Sequence, residues 1–392
     1  MAHRSYLGID IGTSGIKITQ LENYRGQPKL VTYGFVEAQF DIVRDQSKEL
    51  QSFVASLVTQ VLQKARVTTS QAIAALPTFA VFNSIISLPR MSRHDLATAI
   101  KWEAKKFIPL PIEEMNLDWK VLQGEKSTLT EKLFMMNVGS LLKKKTPEPG
   151  QAKGQKGQKD AAAVIVTEKA AQGAAKAGEV KNLRILLTAA PKSLVARYMN
   201  IFDQAKLRLL GLETEAFALS RSFIGSAHEN VMIVDIGSSA TNICLIENGA
   251  PVLNRGLDIG GYHITKSISN SLNVSFERAE QFKLDFGIRM QEQGGGIPDA
   301  IRDSLQPIIN EIQYVFELYQ NQGSLQVDRI LLSGGSAFLP NLTTYLTKLL
   351  QRPVYIGNPW DRVIYPLDLK PLLDTVGPQM AVSIGLAMRN IR

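Results

Sequence analysis

The chain has little of what would tie it to an oxidising compartment, a metal centre or the interior of a membrane. One residue of 392 is cysteine, Cys244, so no disulfide can form within the chain, which agrees with a reducing compartment. The four histidines, His3, His94, His228 and His263, lack metal-ligand spacing, and Cys244 has no partner ligand. The longest apolar stretches, such as 231–234 and 330–332, are strand-sized and far short of the roughly 20 residues that span a bilayer. No apolar core of a secretory leader follows Met1. These absences point to a cytosolic protein, and the length to about two or three domains.

The formal charge of +8 invites a nucleic-acid or membrane-surface reading until it is located. Between Lys143 and Lys181 nine lysines face four acids, Glu148, Asp160, Glu168 and Glu179, a net of +5 that leaves +3 for the rest. That stretch also holds Pro147, Pro149, Gly-Gln-Lys repeats and an alanine-rich tail, the composition of a solvated linker. No aromatic residue interleaves its lysines as a stacking platform requires, so nucleic acid is not the expected partner.

What the sequence does carry is a repeat. An apolar run over 6–20 is broken at Asp10-Ile11-Gly12-Thr13-Ser14-Gly15 and resumes at Ile16-Lys17-Ile18, the pattern of a hairpin with a tight turn. Placing Asp10 on Asp235 without a gap, residues 7–23 match 232–248 at seven of seventeen positions. Asp10, Gly12 and Ser14 fall on Asp235, Gly237 and Ser239, and Thr13 on Ser238. Two such turns suggest two related halves. Between them the pattern predicts a helix over 48–66, a strand over 73–88, a helix over 92–108 opened by a Ser92/Asp95 capping box, and a strand over 116–122. A strand over 183–189 and helices over 193–205 and 217–224 follow. The lysine-rich stretch then reads as an overgrown hairpin loop in a small βαββ unit. The second half predicts helices over 276–284 and 299–320, with Pro307 starting or kinking the latter. A strand over 327–332 running into Ser333-Gly334-Gly335-Ser336, a helix after Asn341 and a last helix over 379–392 complete the pattern.

Facing turns rich in N–H and hydroxyl donors suit a phosphate chain, with Asp10 and Asp235 binding Mg²⁺ through water and Lys17 adding a direct cation. Gly334 and Gly335 suit close approach to a base or ribose. Glu280 and Lys283 lie three apart on a helix that would pack beside the base, although alone they read equally as a solvated ion pair.

Together Asp10–Ser14, Asp235–Thr241 and Ser333–Ser336 resemble the two phosphate motifs and the adenosine motif of the actin, sugar kinase and heat-shock chaperone superfamily. Residues 7–21, Ile108-Pro109-Leu110-Pro111, Arg255-Gly256 with Gly260-Gly261, and Ala279-Glu280-Gln281-Phe282-Lys283 are similar to the PilM family of type IV pilus assembly proteins, relatives of FtsA. The resemblance implies an α/β, actin-like fold of two ribonuclease H-like halves that bind ATP and Mg²⁺. It divides the chain into half 1 (1–70 and 206–228), an inserted subdomain (71–205, with the linker at 143–182), half 2 (229–378) and a C-terminal helix returning to half 1 (379–392). It implies nucleotide contacts from Gly12, Thr13, Ser14, Gly15, Lys17, Gly237, Ser238, Ser239, Thr241, Gly260, Gly261, Glu280, Lys283, Gly334, Gly335 and Ser336, and a water-orienting role for Glu215, which residue type alone leaves equal to a surface carboxylate at a helix start. The partner implied is the cytoplasmic N-terminal peptide of a PilN-like inner-membrane protein, with pilus motor ATPases as further candidates. Arg392 is reached with no spacer and amphipathic helix of the FtsA kind, so the expectation is recruitment to the membrane through a partner, without direct insertion. A metabolic kinase would need a second-substrate site with a catalytic base, and no polar cluster is assignable to one. Slow hydrolysis, self-association and a division or shape role stay open from residues alone.

Overall fold

The computed structural model describes residues 5–122, 182–225, 229–288, 297–321 and 326–391. The lysine-rich stretch at 143–181 lies outside the described residues.

The first half opens with β1 (Ser5–Gly12), β2 (Gly15–Tyr24) and β3 (Gln27–Glu37), a meander in which Gly12 pairs with Gly15 across the turn Thr13-Ser14. Helix α1 (Lys48–Lys64) starts where Ser47 Oγ accepts the Leu50 N–H at 3.2 Å, and it buries Val54, Val58 and Val61 on one stripe. β4 (Gln71–Leu76) then pairs parallel with β1.

The chain leaves this sheet at Pro77. β5 (Phe82–Leu88), α2 (Arg93–Ala104), β6 (Met115–Val121) and β7 (Leu183–Pro191) form a βαββ unit with strand order β5-β7-β6. The Ser92 cap of α2 is present, its Oγ accepting from Asp95 N and donating to Asp95 Oδ2. The Leu122 N–H donates to the Arg184 carbonyl at 2.7 Å, so the two strands flanking the lysine-rich stretch are already paired. Helix α3 (Lys192–Gln204) returns to the core of the first half, where Leu194, Tyr198 and Phe202 are buried, and β8 (Arg208–Thr214) pairs parallel with β4 before α4 (Glu215–Phe223).

The second half repeats the first. β9 (Val231–Ile236), β10 (Thr241–Glu247) and β11 (Ala250–Leu257) form the meander, followed by α5 (Gly261–Leu272), α6 (Phe276–Phe286) and α7 (Ile297–Asn321). β12 (Arg329–Ser333), α8 (Leu342–Leu350), β13 (Val354–Ile356) and α9 (Lys370–Met388) complete the chain. The order β11-β10-β9-β12-β13 and its pattern of two antiparallel and two parallel pairings reproduce β3-β2-β1-β4-β8. Helices α4 and α9 lie between the two sheets, packing Ala218, Leu219, Val382 and Leu386 against Ile73 on one side and Ile233 and Leu331 on the other. Burying each such large apolar side chain contributes about 1.5–3 kcal/mol, so this layer holds the halves together.

Three expectations change. The strand expected over 73–88 is two strands in two sheets, because Pro77 cannot donate to the ladder and a 3-10 turn at Thr78–Ala80 redirects the chain. The strands at 71–76 and the helix at 192–204, placed with the inserted unit from sequence, pack in the first half. The last helix starts at Lys370 and carries Pro378 in its interior, and of the start or kink expected at Pro307 the start is excluded, since Pro307 sits inside α7.

Candidate functional site

The two hairpin turns face each other. Thr13 Oγ1 and Ser239 Oγ share a hydrogen bond across the halves, and Gly237 N–H closes the second turn on the Ala240 carbonyl at 2.9 Å. Strand register sets what lies behind each turn. Asp10 pairs with Lys17 across β1 and β2, their side chains 3.7 Å apart, whereas Asp235 pairs with Asn242 across β9 and β10. The repeat therefore places a cation beside one aspartate and an amide beside the other.

Glu215, first residue of α4, joins them. Its Oε2 accepts the Thr78 N–H at 3.1 Å, the Thr78 hydroxyl at 3.0 Å and the Asn242 amide at 2.8 Å. Burial, reinforced by the charges of Asp10 and Asp235, pushes its pKa up to about 8, although the Thr78 bonds act the other way. In the absence of a cation this favours its protonated form at neutral pH. Burial also lifts Asp235 to about 6 against a Ser333 hydrogen bond, and raises Asp10 despite Lys17. With Glu215 protonated, buried Asp10 and half-buried Asp235 share one cation, Lys17, which leaves the site short of positive charge and fits a divalent cation. Among the described residues no three acidic, cysteine or histidine side chains are close enough to bind a metal directly, so any ion there would keep waters.

A cleft of about 590 Å³ runs outward from these carboxylates. Asp10, Ser14, Gly15, Lys17, Asp235, Gly237 and Ser238 form its floor, and Gly261, Glu280, Lys283, Gly334, Gly335 and Ser336 its wall on the second half. Its size lies within the range of small-molecule sites. A smaller cavity of about 90 Å³ on the other side of the turns adds Gly12, Thr13, Phe79, Glu215 and Asn242. Gly334 has φ +84°, a left-handed conformation that a side chain would strain, and its N–H donates to the Pro378 carbonyl of α9 at 3.1 Å. Beside Gly335 there is open space within 4 Å of where a side chain would begin. Lys283 is buried, donating to Glu280 at 2.8 Å, Thr265 at 3.0 Å and the Gly261 carbonyl at 3.4 Å, so it braces α6 against the start of α5.

Three of the expected residues line neither cavity: Ser239, whose hydroxyl is taken by Thr13, and Thr241 and Gly260. Thr241 is fully buried and donates to the Ile259 carbonyl at 2.7 Å, and the Gly260 N–H is taken by His263 Nδ1 at 3.2 Å; neither lines the cleft. Sequence reading missed Thr78, Phe79 and Asn242. Asn242 had a signal, since laying the Asp10/Lys17 register on the repeat lands on it; the Thr78 contact joins residues 137 apart and had none.

A family model described as type IV pilus assembly protein PilM matches residues 8–138 and 172–391. Cell division protein FtsA of Bacillus subtilis (strain 168) is 22% identical over 194 residues, 43% of this chain and 43% of that protein, so the match spans less than half of either. FtsA of Enterococcus faecalis (strain ATCC 700802 / V583) is 21% identical over 379 residues, 90% of this chain and 79% of that protein. Among solved structures, a PilM-PilN type IV pilus biogenesis complex superposes with a TM-score of 0.76 at 22% identity, over 99% of this chain and 98% of that one. The ethanolamine utilization protein EutJ from Carboxydothermus hydrogenoformans gives 0.51 at 15% identity, over 100% and 91%. Two sheets of identical order closing on a shared cleft, with an inserted unit on the first, make this an actin-like fold. Within that class, the chain belongs to the PilM family of type IV pilus assembly proteins.

Proposed function

We propose that the chain is an ATP-binding scaffold of the type IV pilus inner-membrane platform, held at the membrane by the cytoplasmic N-terminal peptide of a PilN-like protein. The observation that carries the nucleotide reading is the contact between the turns at Thr13 and Ser239, with Asp10 and Asp235 behind them at the floor of one cleft. In this reading the turn N–H groups and hydroxyls hold the phosphate oxygens and Lys17 adds charge. Asp10 and Asp235 would hold Mg²⁺ through water, and the ion would supply the positive charge that offsets the triphosphate. Glu280 and Ser336 face the ribose, while Gly334 and Gly335 leave room for the base. Glu215, protonated and committed to Thr78 and Asn242, is suited to fastening the halves and poorly suited to acting as a base, so hydrolysis is slow. The PilN-like partner is supported by the likeness to a PilM-PilN complex and by family membership. Among the described residues no helix is long and apolar enough to cross a membrane; the partner-mediated location is supported by the likeness to a PilM-PilN complex.

The test is peptide binding with and without Mg-ATP, using the N-terminal peptide encoded by a neighbouring PilN-like gene. Micromolar binding altered by ATP is expected, because closure of the halves would move the inserted unit. Rapid phosphoryl transfer to a sugar or acetate with no peptide binding would favour a metabolic kinase.

A further inference from the structure

Helix α2 is attached to its sheet by one face only. Leu96, Ile100 and Ala104 are buried against β5 and β7, and Ile108 follows them into the same core. The opposite face presents Lys101, Trp102 and Lys105 to solvent. Trp102 is 68% exposed, the most exposed aromatic side chain among the described residues, and the Lys105 ammonium lies 5.1 Å from the centre of its ring. Phe107 and Leu110 extend the apolar surface past the end of the helix, and Arg90 stands exposed before its start.

The acids nearby are already engaged. Glu103 pairs with Lys106 at 2.8 Å and Asp95 accepts from the Ser92 hydroxyl at the helix cap, whereas Lys101, Lys105 and Arg90 form no ion pair among the described residues. Glu113 and Glu114 are exposed beyond Pro111, outside the helix face. The face therefore combines unpaired cations with an indole whose body is apolar and whose N–H seeks a polar partner, on a convex helix surface. An anionic lipid headgroup layer offers all three complements at once: negative charge, an apolar boundary and acceptors for the indole.

We propose that this face of α2 is a peripheral docking surface for anionic lipid headgroups, with Trp102 seated in the headgroup layer and no helix inserted. A basic residue at such a surface increases partitioning about fivefold, equal to about 1 kcal/mol. Lys101, Lys105 and Arg90 together give roughly a hundredfold, too little to hold the protein alone and enough to orient it once a second attachment confines it near the membrane.

The test uses the full chain and vesicles of 30% phosphatidylglycerol in phosphatidylcholine, with pure phosphatidylcholine as the neutral control. The lysine-rich stretch at 143–181 is a second source of attraction, so the readout is the fluorescence of Trp102, exposed where Trp119 is half-buried and Trp360 buried, taken as the difference between wild type and Trp102→Phe. Anionic vesicles should shift the emission to the blue, neutral ones should not, and high salt should reverse the shift. Trp102→Phe should abolish the shift, and Lys101→Glu with Lys105→Glu should reduce partitioning at least about tenfold with the circular dichroism spectrum unchanged. An unshifted spectrum on anionic vesicles, equal behaviour on neutral ones, unchanged partitioning of the Lys101→Glu/Lys105→Glu variant, or a blue shift on concentrating the protein without lipid, which would assign the face to a second copy, each overturns the proposal.

Discussion

Thr13 and Ser239, 226 residues apart in the chain, touch through their hydroxyls where the two hairpin turns meet. Each sits in the turn of a hairpin whose strand carries an aspartate just before it, so this one contact registers two halves against each other. If it stabilises the closed arrangement, Thr13→Ala and Ser239→Ala should be non-additive. A double-mutant cycle by urea denaturation is expected to give a coupling of about 0.5–1.5 kcal/mol, the net worth of one such hydrogen bond. Full additivity would mean that the hydroxyls contribute nothing to closure.

Glu215 makes stability depend on pH in a stated direction. Its folded pKa, about 8, stands above the ordinary carboxylate value, so between roughly pH 4.5 and 8 the folded state binds the proton that the unfolded state has released. Stability from this group is therefore full in acid and is lost as pH rises through about 8. Glu215→Gln keeps an acceptor for Thr78 and Asn242 and cannot ionise. Its melting temperature relative to wild type should rise between pH 6 and pH 9, by about 2 °C or more. A difference that does not change with pH would show that Glu215 titrates normally.

Gly334 occupies φ +84° with its N–H held by Pro378, and any side chain there is strained against the Ile236 carbonyl. Gly334→Ala should cost about 1–3 kcal/mol in urea denaturation. Gly335→Ala, which meets open space, should cost clearly less, and equal losses at the two positions would contradict the account of this corner.

Deleting residues 150–172 should leave folding and nucleotide binding intact. β6 and β7 are paired up to Val121 and Ile185 and closed beyond by the Leu122–Arg184 hydrogen bond, so their pairing needs nothing from the connection, and the expected effect of shortening it is that of loop entropy. A melting temperature lowered by many degrees would show that the segment packs on the rest.

The duplicated turns were legible in the sequence because their chemistry is local: a strand, an aspartate, a glycine and a hydroxyl recur in the same spacing, and hairpin register follows from that spacing. The βαββ unit was legible for the same reason, through the Ser92 cap and the alternating strands. The split at Pro77 was not, since apolar residues continue on both sides of it and only the sheet to which each strand pairs reveals the boundary. The start of the last helix, expected at Gln379 and found at Lys370, was not legible either. A proline usually opens a helix, but here the helix tolerates it in its interior, and the Pro378 carbonyl accepts from Gly334 and Ser333. β3 and β8 went unread because β3 alternates weakly along a sheet edge and β8 is interrupted by Gly211. Within the site, most of the residues expected at the phosphates line the cleft, while the clasp of Glu215 on Thr78 and Asn242 depends on contacts between distant segments that no local pattern encodes.

On the proposed reading, Asp10 and Asp235 serve one Mg-nucleotide site from opposite halves. Isothermal titration calorimetry of Mg-ATP against wild type, Asp10→Ala and Asp235→Ala measures it directly. Each substitution should weaken binding at least tenfold, a change of about 1.4 kcal/mol per decade, because each removes an anion facing the same ion. Undiminished affinity in both variants would contradict the shared site.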